Sequence, residues 1–136
     1  MGNVYAEITV TNKSDMIKAK SGYIAEKDIR SVTLKALVDT GATTLVINDE
    51  LCRQLGLDII GTRTANLAGG GKGTCKITDS VQIQWKDRFA TVDAVVFPDG
   101  NPLLGVIPLE FMDLIVDPVR QELVGAHGDQ ACLMVM

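Results

Sequence analysis

The apolar run Ala36-Leu37-Val38 ends on Asp39 and passes at once into Thr40-Gly41-Ala42-Thr43, after which β-branched and apolar residues resume at Thr44-Leu45-Val46-Ile47. A chain with this segment must present a carboxylate at the end of a strand, between residues that belong inside. Burying an ionised carboxylate is unfavourable by several kcal/mol unless it is hydrogen-bonded or shared. Asp39 is therefore a functional candidate. Asp, Thr and Gly are all turn formers, so the triplet alone would describe an ordinary strand end; its surroundings decide.

Those surroundings read as β-structure. Val4, Ala6, Ile8 and Val10 alternate with Tyr5, Glu7, Thr9 and Thr11, the period of a half-buried strand. Residues 12–28 are polar, with Gly22 and several lysines, and read as a loop or irregular excursion before a second strand from about Arg30 to Val38. Asn48 or Asp49 can cap a short helix through Leu55, ended by Gly56 in the left-handed conformation. The chain then looks extended from Ile59 to Ala68. It continues through Gly69, Gly70, Gly71 and Gly73 into two strands, Thr74–Trp85 and Arg88–Phe97, joined near Lys86-Asp87. The glycines thus sit at a hairpin tip. Pro98-Asp99-Gly100-Asn101-Pro102 is a dense turn, followed by Leu103-Leu104-Gly105 and scope for a helical turn starting at Pro108. A final hairpin pairs Leu114–Val116 with Glu122–Val124, and the segment from Gly125 to Met136 has no clear period.

Composition narrows the function. The chain has 136 residues, 46% of them hydrophobic, which suits one domain; only 4% are aromatic, so the core must be aliphatic. A formal charge of -4 and the lack of any basic run argue against a nucleic-acid partner. The longest apolar stretches fall far short of the roughly 20 residues of a membrane span. The first ten residues do not resemble a secretory signal, and Ala6 stands where a myristoylation signal wants Ser or Thr. Cys52, Cys75 and Cys132 are widely spaced and form no CxxC, which suggests neither a disulfide framework nor a zinc site. A cytoplasmic location is the expectation.

The segment from Ala36 to Thr43 resembles the active-site turn of retropepsin-like aspartic peptidases, in which a hydrophobic pair precedes Asp-Thr-Gly-Ala. The likeness extends through Thr44-Leu45-Val46-Ile47 and to Leu103-Leu104-Gly105, which is similar to the apolar-apolar-Gly pattern before that family's C-terminal helix. The resemblance implies an all-β, closed, partly barrel-like retropepsin-like fold with one short C-terminal helix and a flap hairpin, in a single domain with its core at about 30–124. Residues 1–29 would form an N-terminal strand and loop, serving as a pro-segment or a dimer strand, and 125–136 a tail. Gly105 to Pro118 looks more like free-standing prokaryotic members than viral ones, which usually carry Gly-Arg-Asn or Gly-Arg-Asp where this chain has Gly105-Val106-Ile107.

Peptide hydrolysis of this type needs one carboxylate as base on water and a neighbouring acid to protonate the carbonyl oxygen. No second Asp-Thr-Gly or Asp-Ser-Gly occurs, since Asp79-Ser80 is followed by Val81. The second carboxylate must come from a second copy of the chain, in a twofold-symmetric homodimer. The resemblance implies further roles: Asp39, Thr40 and Gly41 are catalytic, Thr40 bonding across the dimer and Gly41 bringing its amide to the carboxylates. Ala42, Thr43, Gly69, Gly70, Gly71 and Leu104 contact a peptide or protein substrate. No metal or organic cofactor is required. The alternative is a dimeric peptide-binding module with the same fold and little or no turnover.

Other readings are weaker. Lys72 is followed by Gly73 rather than Ser or Thr, so Gly69–Thr74 is a poor phosphate loop. No Gly-x-Ser-x-Gly exists, and Cys52 reads as a packing residue within a helix. His127, the one histidine, reads as a surface residue; Asp113 and Asp117 lack a presenting turn and read as structural; Trp85 and Phe89 read as core or hairpin packing. Cys132 to Met136 reads as a tail or an interface strand, because five residues bury little area.

Overall fold

The structure, a computed structural model, describes residues 3–132. Among the described residues nine strands and three short α-helices follow one another, and six of the strands close a barrel. Strand β1 (Tyr5–Asn12) runs antiparallel to β2 (Ser31–Val38), with Ala6 opposite Ala36 and Val10 opposite Val32. Beyond β2 lies the two-residue strand β7 (Leu103–Leu104), then β3 (Leu45–Asn48), β6 (Arg88–Phe97) and β5 (Lys72–Trp85). The second half of β5 returns to β1, Val10 facing Ile83, and so closes the sheet on itself. Closure removes the open edges that a flat sheet would leave.

The alternation in the sequence is the reason for this geometry. Ala6, Ile8 and Val10 of β1, Val81 and Ile83 of β5 and Ala90, Val92, Ala94 and Val96 of β6 all point inward and are buried. Helix α2 (Asp49–Leu55) covers one end of the core with Cys52 and Leu55; Asn48 caps it by accepting from the Leu51 amide, and Gly56 ends it at φ 61°. Helix α3 (Val106–Phe111) contributes Leu109, and the outlying hairpin β8 (Leu114–Asp117) and β9 (Glu122–Gly125) adds Leu114 and Leu123.

Residues 12–28 are not the expected irregular loop: Lys13–Lys20 forms helix α1, followed by a 3-10 turn at Glu26–Asp28. Hydrophobic periodicity could not reveal a helix whose only buried residue is Asp15. It is specified by its ends instead. The Asn12 side chain accepts from the Asp15 amide at 3.0 Å, Asp15 lies in the first turn, and Lys18 and Lys20 lie in the last. Asn12 is itself buried and donates to the Leu55 carbonyl at 2.8 Å, while Asp15 takes a two-pronged ion pair from Arg30 at 2.8 and 2.9 Å. The core consequently begins earlier than residue 30. A strand that supplies one wall of the barrel is a poor candidate for a removable pro-segment.

Strand β4 (Ile59–Asn66) pairs with the first half of β5 alone, and apart from half-buried Ala65 all its residues are exposed, so the β4–β5 hairpin stands out from the barrel as a ribbon. The register of β5 against β6 shifts between Ile77 and Ser80, where buried Thr78 accepts from the Ala94 amide at 3.0 Å. Phe89, expected to pack, is exposed, because it alternates with inward-facing Arg88 and Ala90. No helix of the described residues is long and apolar enough to cross a membrane. The residues after Cys132 in the apolar end segment lie outside the described part.

Candidate active site

Strands β2 and β3 are joined by the turn Asp39–Thr44, and β7 lies between the two strands, parallel to β2 and antiparallel to β3. This insertion holds the turn. The Asp39 amide donates to the Leu104 carbonyl at 3.0 Å and the Ala42 amide to the Asp39 carbonyl at 3.0 Å. From the other side, the first two amides of α3 are directed at the turn: Val106 donates to the Ala42 carbonyl and Ile107 to the Thr43 carbonyl, each at 2.9 Å. A helix start leaves such amides without intrahelical partners, and here the turn uses them. Thr44 Oγ1 completes the anchorage by donating to the Asp93 carbonyl of β6 at 3.0 Å.

Within this frame Asp39 is half-buried, Ala42 is half-buried, and Thr40, Gly41 and Thr43 are exposed. Oδ1 of Asp39 accepts from the Gly41 amide at 2.9 Å. A Cβ on Gly41 would approach that same oxygen to 3.1 Å, so the missing side chain is what admits the amide. Among the described residues, Oδ2 of Asp39 accepts no hydrogen bond, Asp39 joins no ion pair, and Thr40 Oγ1 has no partner. Among the described residues Asp39 is thus only half-buried, less than its flanking residues suggest.

Five of the expected site residues, Asp39 to Thr43, share this turn. Leu104 meets it through its backbone, the Leu104 carbonyl accepting from the Asp39 amide, while its side chain is fully buried in the barrel core. The pleat explains this, since β7 inserts between β2 and β3 and must turn one of its two side chains inward. Gly69, Gly70 and Gly71 lie at the tip of the β4–β5 hairpin, where Leu67 and Gly71 close the turn by a 2.8 Å backbone bond and Gly70 takes φ 93°. A Cβ on any of the three would meet nothing within 4 Å. Two open grooves, of about 520 and 380 Å³, lie on other parts of the surface, beside Tyr5 and Trp85 and beside Ile17 and Thr91, and no residue of the Asp39 turn lines either.

The remaining candidates separate cleanly. Burial raises the Cys52 thiol above its ordinary range, which disfavours a nucleophilic role. Asp117 accepts from the Val119 and Arg120 amides and ties the β8–β9 turn. His127 is exposed, as expected, but its Nδ1 contacts the carboxylate of buried Asp113 at 2.8 and 2.9 Å. Position 93 and the backbone amides of 106 and 107 were not legible as parts of the site, because they act through main-chain atoms that carry no residue-type signature.

A closed β-barrel that inserts a two-residue strand between the arms of an Asp-Thr-Gly turn, with a protruding hairpin and a short helix behind the turn, is the retropepsin-like aspartic protease fold. The chain belongs to the aspartyl protease family, whose pattern it matches over residues 25–111, a span that runs from the 3-10 turn through β2, the Asp39 turn and the hairpin to the end of α3. No curated protein matches the chain closely enough to add to that assignment.

Proposed function

We propose that the protein is an aspartic endopeptidase that works as a homodimer, Asp39 of each subunit supplying one carboxylate of a shared pair. The observation that carries this reading is the isolation of Asp39: one oxygen is held by the Gly41 amide, the other accepts no hydrogen bond within the described chain, and no second Asp-Thr-Gly exists to complete the site. Two carboxyls brought to roughly 3 Å cannot both ionise and therefore share a proton, the general behaviour of aspartic peptidase pairs. The ionised member takes a proton from water as it attacks the peptide carbon, and the protonated member donates to the carbonyl oxygen.

In this scheme Thr40, exposed and without a side-chain partner among the described residues, bonds across the twofold axis and keeps the two turns in register. Ala42 and Thr43 border the substrate groove, and Gly69 to Gly71 form the tip of a flap that closes over an extended peptide backbone. The reading calls on no cofactor.

Asp39→Asn is the direct test, because asparagine keeps an oxygen for the Gly41 amide and so preserves the turn. Cleavage of a peptide library by the wild type should fall by at least about 100-fold in the variant. Equal cleavage by both would reject the mechanism. Peptide binding by the wild type without hydrolysis at any pH would instead favour a dimeric peptide-binding module, the reading suggested by Val106-Ile107 at the positions where viral relatives carry Arg-Asn or Arg-Asp.

A further inference from the structure

We propose that Asp113, His127 and Cys132 form a three-ligand site for Zn2+ that clamps the segment after β9 onto the barrel. No sequence motif announces it, for the three residues are separated by 13 and 4 intervening positions. The fold gathers them: one carboxylate oxygen, one imidazole nitrogen and the Cys132 sulfur all lie within 4.8 Å of one another. Tetrahedral zinc holds such donors roughly 3.3–3.8 Å apart, given bond lengths of about 2.0–2.3 Å. Rotation of the exposed Cys132 side chain brings its sulfur in, and the exposed His127 ring, now 2.8 and 2.9 Å from the carboxylate oxygens, moves out to admit the ion.

The site is built around Asp113. This residue takes φ 57°, is buried, and accepts at Oδ2 from the Cys132 amide at 3.0 Å, while its carbonyl accepts from the Ala126 amide at 2.8 Å. Both ends of the segment 126–132 are thereby tied to one residue, Ala126 to its carbonyl and Cys132 to its carboxylate. Arg88, buried beneath, donates through Nη1 to the Met112 and Asp113 carbonyls and through Nη2 to the Gly128 carbonyl. Its donors fix the backbone of the site and do not contact the Asp113 carboxylate.

The donor set selects the ion. A carboxylate, an imidazole and a thiolate suit borderline-soft Zn2+, whereas Ca2+ and Mg2+ take oxygen ligands. Asp113 as carboxylate and Cys132 as thiolate carry two negative charges, which Zn2+ neutralises, and His127 ligates as the neutral ring in place of its present contact with Asp113.

The experiment uses the full chain stripped with a chelator, with Zn2+ followed by calorimetry and Co2+ by absorption. One equivalent per chain is expected, with a thiolate-to-cobalt charge-transfer band and tetrahedral d–d bands. Cys132 is the one exposed cysteine among the described residues, so Zn2+ should also protect the native protein from a thiol reagent. His127→Ala and Cys132→Ser should each weaken Zn2+ binding by more than about 100-fold, beyond what loss of an outer-sphere partner does. Their far-UV circular dichroism in the absence of metal should match the wild type, since both side chains are exposed. Asp39→Asn should bind Zn2+ unchanged, which separates this site from the proposed carboxylate pair. Absence of saturable binding, unchanged affinity in both ligand variants, or loss of binding in Asp39→Asn would each overturn the proposal and leave Asp113 and His127 as an ion pair.

Discussion

Gly105 packs its main chain against Ala42: a Cβ built on Gly105 would lie 2.6 Å from the Ala42 carbonyl oxygen and 2.7 Å from the Thr44 nitrogen. Backbone, unlike a flexible side chain, cannot swing aside. Gly105→Ala should therefore push α3 off the turn, weaken the bonds from Val106 and Ile107, and destabilise the fold by about 1–3 kcal/mol, the range for overpacking a tight site. Urea denaturation checks the stability, and peptide cleavage should fall by more than the unfolded fraction explains, because the same contact sets the position of Asp39.

The proposed division of the site between two subunits predicts that activity depends on concentration. Specific activity per chain should decline on dilution through the dissociation constant of the dimer, in step with the change from dimer to monomer in sedimentation. A monomer with full activity would contradict the shared-carboxylate mechanism.

Acid should weaken the fold through Asp15. Arg30 holds its carboxyl below the ordinary value of 3.8, first through the guanidinium hydrogen bonds and against the opposing effect of burial. The folded form thus binds the proton less readily than the unfolded chain. The stabilisation is fully present above pH 3.8 and is lost as pH falls through the lower folded value. Asp15→Asn should be less stable at neutral pH and show a shallower loss of stability in acid, read from urea midpoints across that range. Arg30 is about half exposed, so solvent screening keeps the effect moderate.

Arg88 is another buried charge with a structural task. Arg88→Met fills a similar volume but leaves the Met112, Asp113 and Gly128 carbonyls without their donor, and should lower stability by about 3 kcal/mol. Thermal and urea unfolding measure this directly. Proteolysis of the native variant should begin in residues 126–132, which Arg88 holds through Gly128.

Much of the barrel was legible because strands announce themselves by alternation. The ends of β6 and of the β8–β9 hairpin fall close to where the pattern and turn residues place them, and Gly56 ends α2 as its type requires. Helix α1 was not legible by periodicity, since it buries an ion-paired aspartate rather than an apolar stripe; the spacing of Asn12 and Asp15 was its available sign. Arg88 illustrates the converse. It stands at an inward position of an alternating strand, and alternation alone would have marked it as a buried charge needing partners.

The chain's own order of residues determined that a carboxylate ends a strand, that the next two positions are Thr and Gly, and that no second such turn exists, because these are properties of neighbours along the backbone. Tertiary structure alone decided that Leu104 faces the core, that Gly105 and the first amides of α3 hold the turn from behind, and that Asp113, His127 and Cys132 meet. Those relations depend on barrel closure, which brings together residues far apart in sequence and turns each side chain inward or outward according to the pleat.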